Sequence, residues 1–109
     1  MARVVSIAED LMVASRVDAA LTGAGHHVVL ARSLQEASLD GVELLVVDLD
    51  VENPEAVVGL GVPVLGYYSH VDVETKKAAD AAGVDLVVPR SKMSRELPEL
   101  VAGLLQGGD

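Results

Sequence analysis

The chain has 109 residues and a net charge of −9, from 17 acids against 8 bases, with no cysteine, no Phe and no Trp. Absent cysteine excludes disulfides, thiolate metal sites and thiol catalysis. The acidic balance and near-absence of aromatics disfavour nucleic-acid stacking platforms and anionic membrane surfaces. At this length and with half its residues hydrophobic, the chain can bury one real core and is expected to form one domain over residues 1–109, with no output domain.

The first apolar run, Val4 to Ala8, predicts a strand with Glu9 and Asp10 at its carboxyl end. Asp10 can cap a helix from Leu11 to Ala24, where Val13, Val17 and Leu21 form one stripe and Gly23 and Gly25 end it. His26 to Ala31 predicts a second strand. Ser33, with Glu36 three residues on, is a capping-box pattern for a short helix from Leu34, and Asp40-Gly41 is a turn signal.

Glu43 to Asp50 predicts the central strand. Leu44-Leu45-Val46-Val47 is unbroken by polar residues, so it reads as buried on both faces, and Asp48 and Asp50 follow it. Asn53-Pro54-Glu55 supplies a cap, a first-turn proline and a first-turn acid for a short helix before Gly59 and Gly61. Val62 to Tyr68 is a fourth strand, and alternation sends Tyr67 and Tyr68 to opposite layers. Asp72 can cap a helix from Val73 to Ala82, and Asp85 to Val88 is a fifth strand. Ser94 can cap a last helix bearing Leu97, Leu100, Val101, Leu104 and Leu105, with Pro98 tolerable only in its first turn. Gly107-Gly108-Asp109 is a frayed tail.

Five strands alternating with five helices predict an α/β fold: a doubly wound parallel sheet in the flavodoxin-like order 2-1-3-4-5. That order makes the first and third strands neighbours at the switch point, where ligands bind. Glu9 and Asp48 are then expected to lie close together. Crowded carboxylates repel, and a hard divalent cation such as Mg²⁺ relieves them. Arg90, after the fifth strand, can reach the same crevice. The fourth strand brings Tyr68, Ser69 and His70 to the same end.

Over residues 3–106 the sequence resembles the receiver domain of bacterial response regulators. The resemblance rests on the buried strand ending in Asp48, on Gly25, on Val62-Pro63-Val64 and on Ala82-Gly83-Val84-Asp85. It implies that Asp48 is a phosphoacceptor and that Glu9, Asp48 and the Asp50 backbone carbonyl hold Mg²⁺. It also implies that Ser69, Tyr68 and Arg90 surround the phosphoryl group. The chain departs from the family at Ala8, where an acid is expected, at Tyr68, where a Thr or Ser is usual, and at Arg90, which replaces a Lys and follows Pro89. One missing carboxylate weakens Mg²⁺ binding, and a planar guanidinium is not a compact ammonium.

Two functions follow from the resemblance. One is a stand-alone, cytoplasmic phosphorelay protein. The other is a pseudo-receiver that is not phosphorylated and acts as a protein–protein interaction module. In neither is the chain a dedicated enzyme; at most it catalyses its own Mg²⁺-dependent phosphorylation from a donor. The implied partners are a histidine kinase or a downstream signalling protein, and a second copy bound through the fourth helix, fifth strand and fifth helix. No nucleic acid or membrane is implied. Lys76, Lys77, Arg90, Lys92 and Arg95 place most of the bases in that last third.

Other motifs fit less well. Asp48-Leu49-Asp50 matches the nucleophile motif of haloacid-dehalogenase-type phosphatases, but that family opens with this strand. A Toprim-like metal site shares the later Asp-x-Asp but not the features around Pro63 and Gly83. Adjacent His26 and His27 point to opposite faces of a strand and cannot share a metal. Ala8-Glu9-Asp10 lacks the glycines of a phosphate loop.

Overall fold

The apolar runs become five parallel strands in a computed structural model that describes residues 2–69 and 73–106. In chain order these are β1 (Arg3–Ile7), α1 (Leu11–Gly23), β2 (His27–Ala31), a 3₁₀ turn (Leu34–Glu36) and β3 (Leu44–Asp48). Then come α2 (Pro54–Val58), β4 (Val64–Tyr68), α3 (Val73–Ala82), β5 (Leu86–Pro89) and α4 (Arg90–Gln106). The sheet order is β2-β1-β3-β4-β5, and every pairing is parallel. The doubly wound α/β architecture expected from the alternation is therefore present.

β3 occupies the middle of the sheet and is buried at all five positions. Its alternate residues feed two separate cores. Val46 joins Val4, Val13, Val17, Leu21, Leu65, Tyr67, Met93, Leu97 and Val101 under α1 and α4. Val47 joins Val5, Ile7, Val57, Val64, Tyr68, Ala79 and Val87 under α2 and α3. Each fully buried Val or Leu side chain contributes about 1.5–3 kcal/mol through removal from water. The two tyrosines divide between the layers, as strand alternation requires.

Caps explain the helix starts. Asp10 Oδ1 accepts hydrogen bonds from the Met12 and Val13 N–H groups at the head of α1. Asn53 Oδ1 accepts from Glu55 N–H, with Pro54 in the first turn of α2. Asp72, read as a cap for α3, lies outside the described residues, as do His70 and the Gly107–Asp109 tail.

Two elements differ from the pattern that their caps predict. Among the described residues there are four α-helices, because the segment after β2 makes only a 3₁₀ turn. Ser33 Oγ accepts from Glu36 N–H as a cap should. However, Ala37 is already extended, at φ −81° and ψ 134°, so the turn stops after three residues. The Leu34 N–H is instead tied to Glu52 Oε2 at 2.9 Å. The last helix starts at Arg90, directly after β5, and not after Ser94. Its buried stripe begins with Met93 and continues through Leu97 and Val101, so burial of Met93 carries the helix back by a turn. Pro98 consequently sits in the helix interior, where it has no N–H to donate.

Gly66, in β4, leaves room for Leu49 from the loop after β3: a Cβ there would stand 2.7 Å from Leu49 Cδ1. No helix among the described residues is long and apolar enough to cross a membrane.

Two substitutions test this packing by denaturant titration. Gly66→Ala should destabilise by roughly 1–3 kcal/mol, because Leu49 must move. Pro98→Ala should stabilise by up to about 3 kcal/mol, because it restores a helix-interior donor. A neutral Gly66→Ala would show that Leu49 relaxes freely.

Candidate functional site

The carboxyl ends of β1, β3 and β4 and the start of α4 gather the polar residues. Asp48 is the last residue of β3 and is only 8% exposed; it and Ser6 are the two buried polar side chains among the described residues. It pairs with Tyr67 of β4, on the α1/α4 side of the sheet. Its backbone carbonyl accepts from Val51 and Glu52 N–H, which curls the following loop over the strand end. Oδ1 accepts from Asp50 N–H at 2.9 Å. Oδ2 takes no hydrogen bond among the described residues.

Burial is the main reason that the Asp48 carboxyl is held above the usual carboxylate range, and the charges of Asp50 and Glu9 add to it. The Asp50 N–H and the Arg90 charge oppose them. Glu9 is exposed in the β1–α1 loop and makes no hydrogen bond or ion pair among the described residues. Ala8, beside it, is buried.

The Asp50 side chain is committed elsewhere. Its Oδ2 accepts from both the backbone N–H and the hydroxyl of Ser69, strapping the β3 loop to the end of β4. Ser69 thus stands at the site with its hydroxyl engaged. Tyr68 is buried in the α2/α3 layer, on the other face of the sheet from Asp48. Tyr67 shares Asp48's face, which alternation within one strand does not reveal, because it depends on the register that sets Asp48 of β3 opposite Tyr67 of β4.

Arg90 opens α4 and its Nη2 meets Asp10 Oδ2 at 2.9 Å. The pair joins the end of β1 to the end of β5, arching past the ends of β3 and β4 on the α1/α4 side. The Arg90 hydrogen bond is the chief reason that Asp10 is held below the usual carboxylate range. Asp10 therefore does two jobs, capping α1 with one oxygen and holding Arg90 with the other. The Tyr67 hydroxyl is buried without a hydrogen-bond partner among the described residues, and burial, with Asp48 nearby, raises its pKa.

Among the described residues no three His, Asp or Glu side chains converge as a ready-made metal cage. The donors present are nonetheless all oxygen, and burial with the neighbouring Asp50 and Glu9 charges disfavours the negative charge of Asp48. That chemistry suits a hard cation keeping several waters and not a soft one.

No family model matches the chain, and no curated protein matches its sequence. Solved structures do match. A response regulator receiver domain protein (CheY-like) from Methanospirillum hungatei JF-1 superposes with a TM-score of 0.85 at 18% identity, covering 98% of this chain and 95% of that one. The receiver domain of a Francisella response regulator gives a TM-score of 0.84 at 16% identity, covering 100% of both chains. A response regulator from Thermotoga maritima gives 0.80 at 19% identity, covering 96% of this chain and 98% of that one. The chain thus has the fold of receiver domains over essentially its whole length.

The electrostatics of Asp48 set a pH dependence. Asp48 holds its proton more tightly in the fold than in the unfolded chain, so its contribution to stability falls as pH rises from the ordinary value of 3.8 through its raised folded value. Asp48→Asn removes that cost and keeps an oxygen for Asp50 N–H. In metal-free buffer at pH 7 it should raise the thermal midpoint by about 4–8 °C, the scale of ~1 kcal/mol in a chain of this size, with the gain shrinking toward pH 4. An unchanged midpoint across that range would show that the field at Asp48 is already balanced.

Proposed function

We propose that this chain is a receiver-like signalling protein in which Asp48 accepts a phosphoryl group. The observation that carries the reading is the placement of Asp48: a buried carboxylate at the end of the central strand, one oxygen oriented by a backbone N–H and the other without a hydrogen bond among the described residues. That second oxygen attacks phosphorus. The bond from phosphorus to the donor's nitrogen or oxygen breaks, and its electron pair leaves with the donor. Such transfers need positioning and charge compensation more than covalent help from the protein.

Glu9, Asp48 and the Asp50 carbonyl are the groups that would hold Mg²⁺, which supplies positive charge against the transferred phosphoryl oxygens. Asp50 keeps the loop in place through Ser69. Arg90 is the nearby cation, and engaging the phosphoryl group means giving up Asp10. A histidine kinase or a small phosphodonor would supply the group, and the face made by α3, β5 and α4 would meet a downstream protein.

A second reading has its own support. Ala8 provides no carboxylate, Tyr68 lies on the opposite face, and Arg90 is already paired. These features favour a pseudo-receiver that signals by docking without phosphorylation.

Incubation with acetyl phosphate and Mg²⁺, followed by intact mass measurement, separates the two. Phosphoryl transfer predicts one added phosphoryl group in the wild type and none in Asp48→Ala, with Glu9→Gln slowing the reaction at least tenfold. No modification at millimolar donor would leave the docking reading.

A further inference from the structure

β2 is the outer strand beside β1, with no strand on its other side among the described residues. His27 N–H donates to Ala2 and the Ala31 carbonyl accepts from Ala8, so residues 27, 29 and 31 direct their backbone groups toward β1. Val28 and Leu30, alternating with them, direct theirs outward. The strand interior His27-Val28-Val29-Leu30-Ala31 has no proline, acid or lysine, the devices that usually blunt an edge. Val29 is 37% exposed on the α2/α3 side, and Leu30 is 45% exposed on the other.

We propose that β2 is a self-pairing edge: two copies of this chain join antiparallel about a two-fold axis at Val29, making one continuous sheet. In that register Val28 of each copy faces Leu30 of the other, and both residues exchange N–H···O=C bonds. Three observations select a second copy as the occupant.

The first is charge. Copies of a chain with net charge −9 repel almost everywhere. Residues 19–35, the longest acid-free run in the sequence, contain β2 and carry only His26, His27 and Arg32 beside neutral residues. The second is symmetry. A five-residue strand with apolar side chains exposed on both sides of its centre is self-complementary under a two-fold. The third is closure. The opposite edge, β5, is four residues long and ends in Pro89, which offers no N–H, so pairing stops at the dimer. The interface is small, under about 1,200 Å², so the dimer is reversible, with a dissociation constant on the order of 0.1 mM.

The chain's lack of cysteine makes the test direct. Val29→Cys puts a thiol opposite its own copy, at a Cα separation of about 4.5 Å, within disulfide reach. Under mild oxidation Val29→Cys should form a covalent dimer. His27→Cys or Ala31→Cys alone should not, although a mixture of the two should cross-link. Leu30→Pro removes an outward N–H that no strand of the monomer uses, together with an exposed apolar side chain, so it should keep a folded circular dichroism spectrum while weakening self-association at least tenfold in sedimentation across the micromolar to millimolar range. A wild type that stays monomeric at millimolar concentration would overturn the proposal. So would cross-linking equal at all three positions, or a dimer that survives Leu30→Pro, which would lie on another face such as α3–β5–α4.

Discussion

The burial of β3 on both faces is the constraint from which the other elements follow. A strand with no exposed position needs a helical layer above and another below, and right-handed crossovers are the way a short chain supplies both. β1 and β4 flank it, α1 and α4 seal one side, and α2 and α3 seal the other. The polar residue that ends such a strand is drawn partly into the protein with it. Asp48 is half a strand residue and half a site residue, and its altered acidity comes first from that position and only second from its charged neighbours.

Much of this was legible in the sequence, and the reasons differ by element. The five strands announced themselves because Val-rich runs between turn residues have few other uses. Tyr67 and Tyr68 could be sent to opposite layers because alternation follows from backbone geometry. The segment after Ser33 stops short of a helix because a good cap starts a helix without ensuring that it continues, and the backbone is extended from Ala37. α4 starts before Ser94, a good cap in isolation, because burial of Met93 extends the helix back to Arg90. The Asp10–Arg90 pair could not be read from spacing, since 80 residues separate its members and only the finished sheet brings them together.

The site holds two kinds of commitment. Asp50 and Ser69 are bound to each other, and Asp10 is bound to both α1 and Arg90; these groups maintain shape. Glu9 and one oxygen of Asp48 are unspent among the described residues, and they are the groups with chemistry left to offer. An arrangement of this sort separates rigidity from reactivity within a few residues of one strand end.

Tyr67 and Tyr68 also decide how the protein can be watched. The chain has no Trp and these are its only tyrosines, so its near-ultraviolet absorption and intrinsic emission come almost wholly from the end of β4. One ring lies in each core layer, and the Tyr67 ring shares the face of Asp48. Near-ultraviolet light absorbed by this protein is therefore absorbed at the end of β4, with one of the two rings on the face of its candidate site.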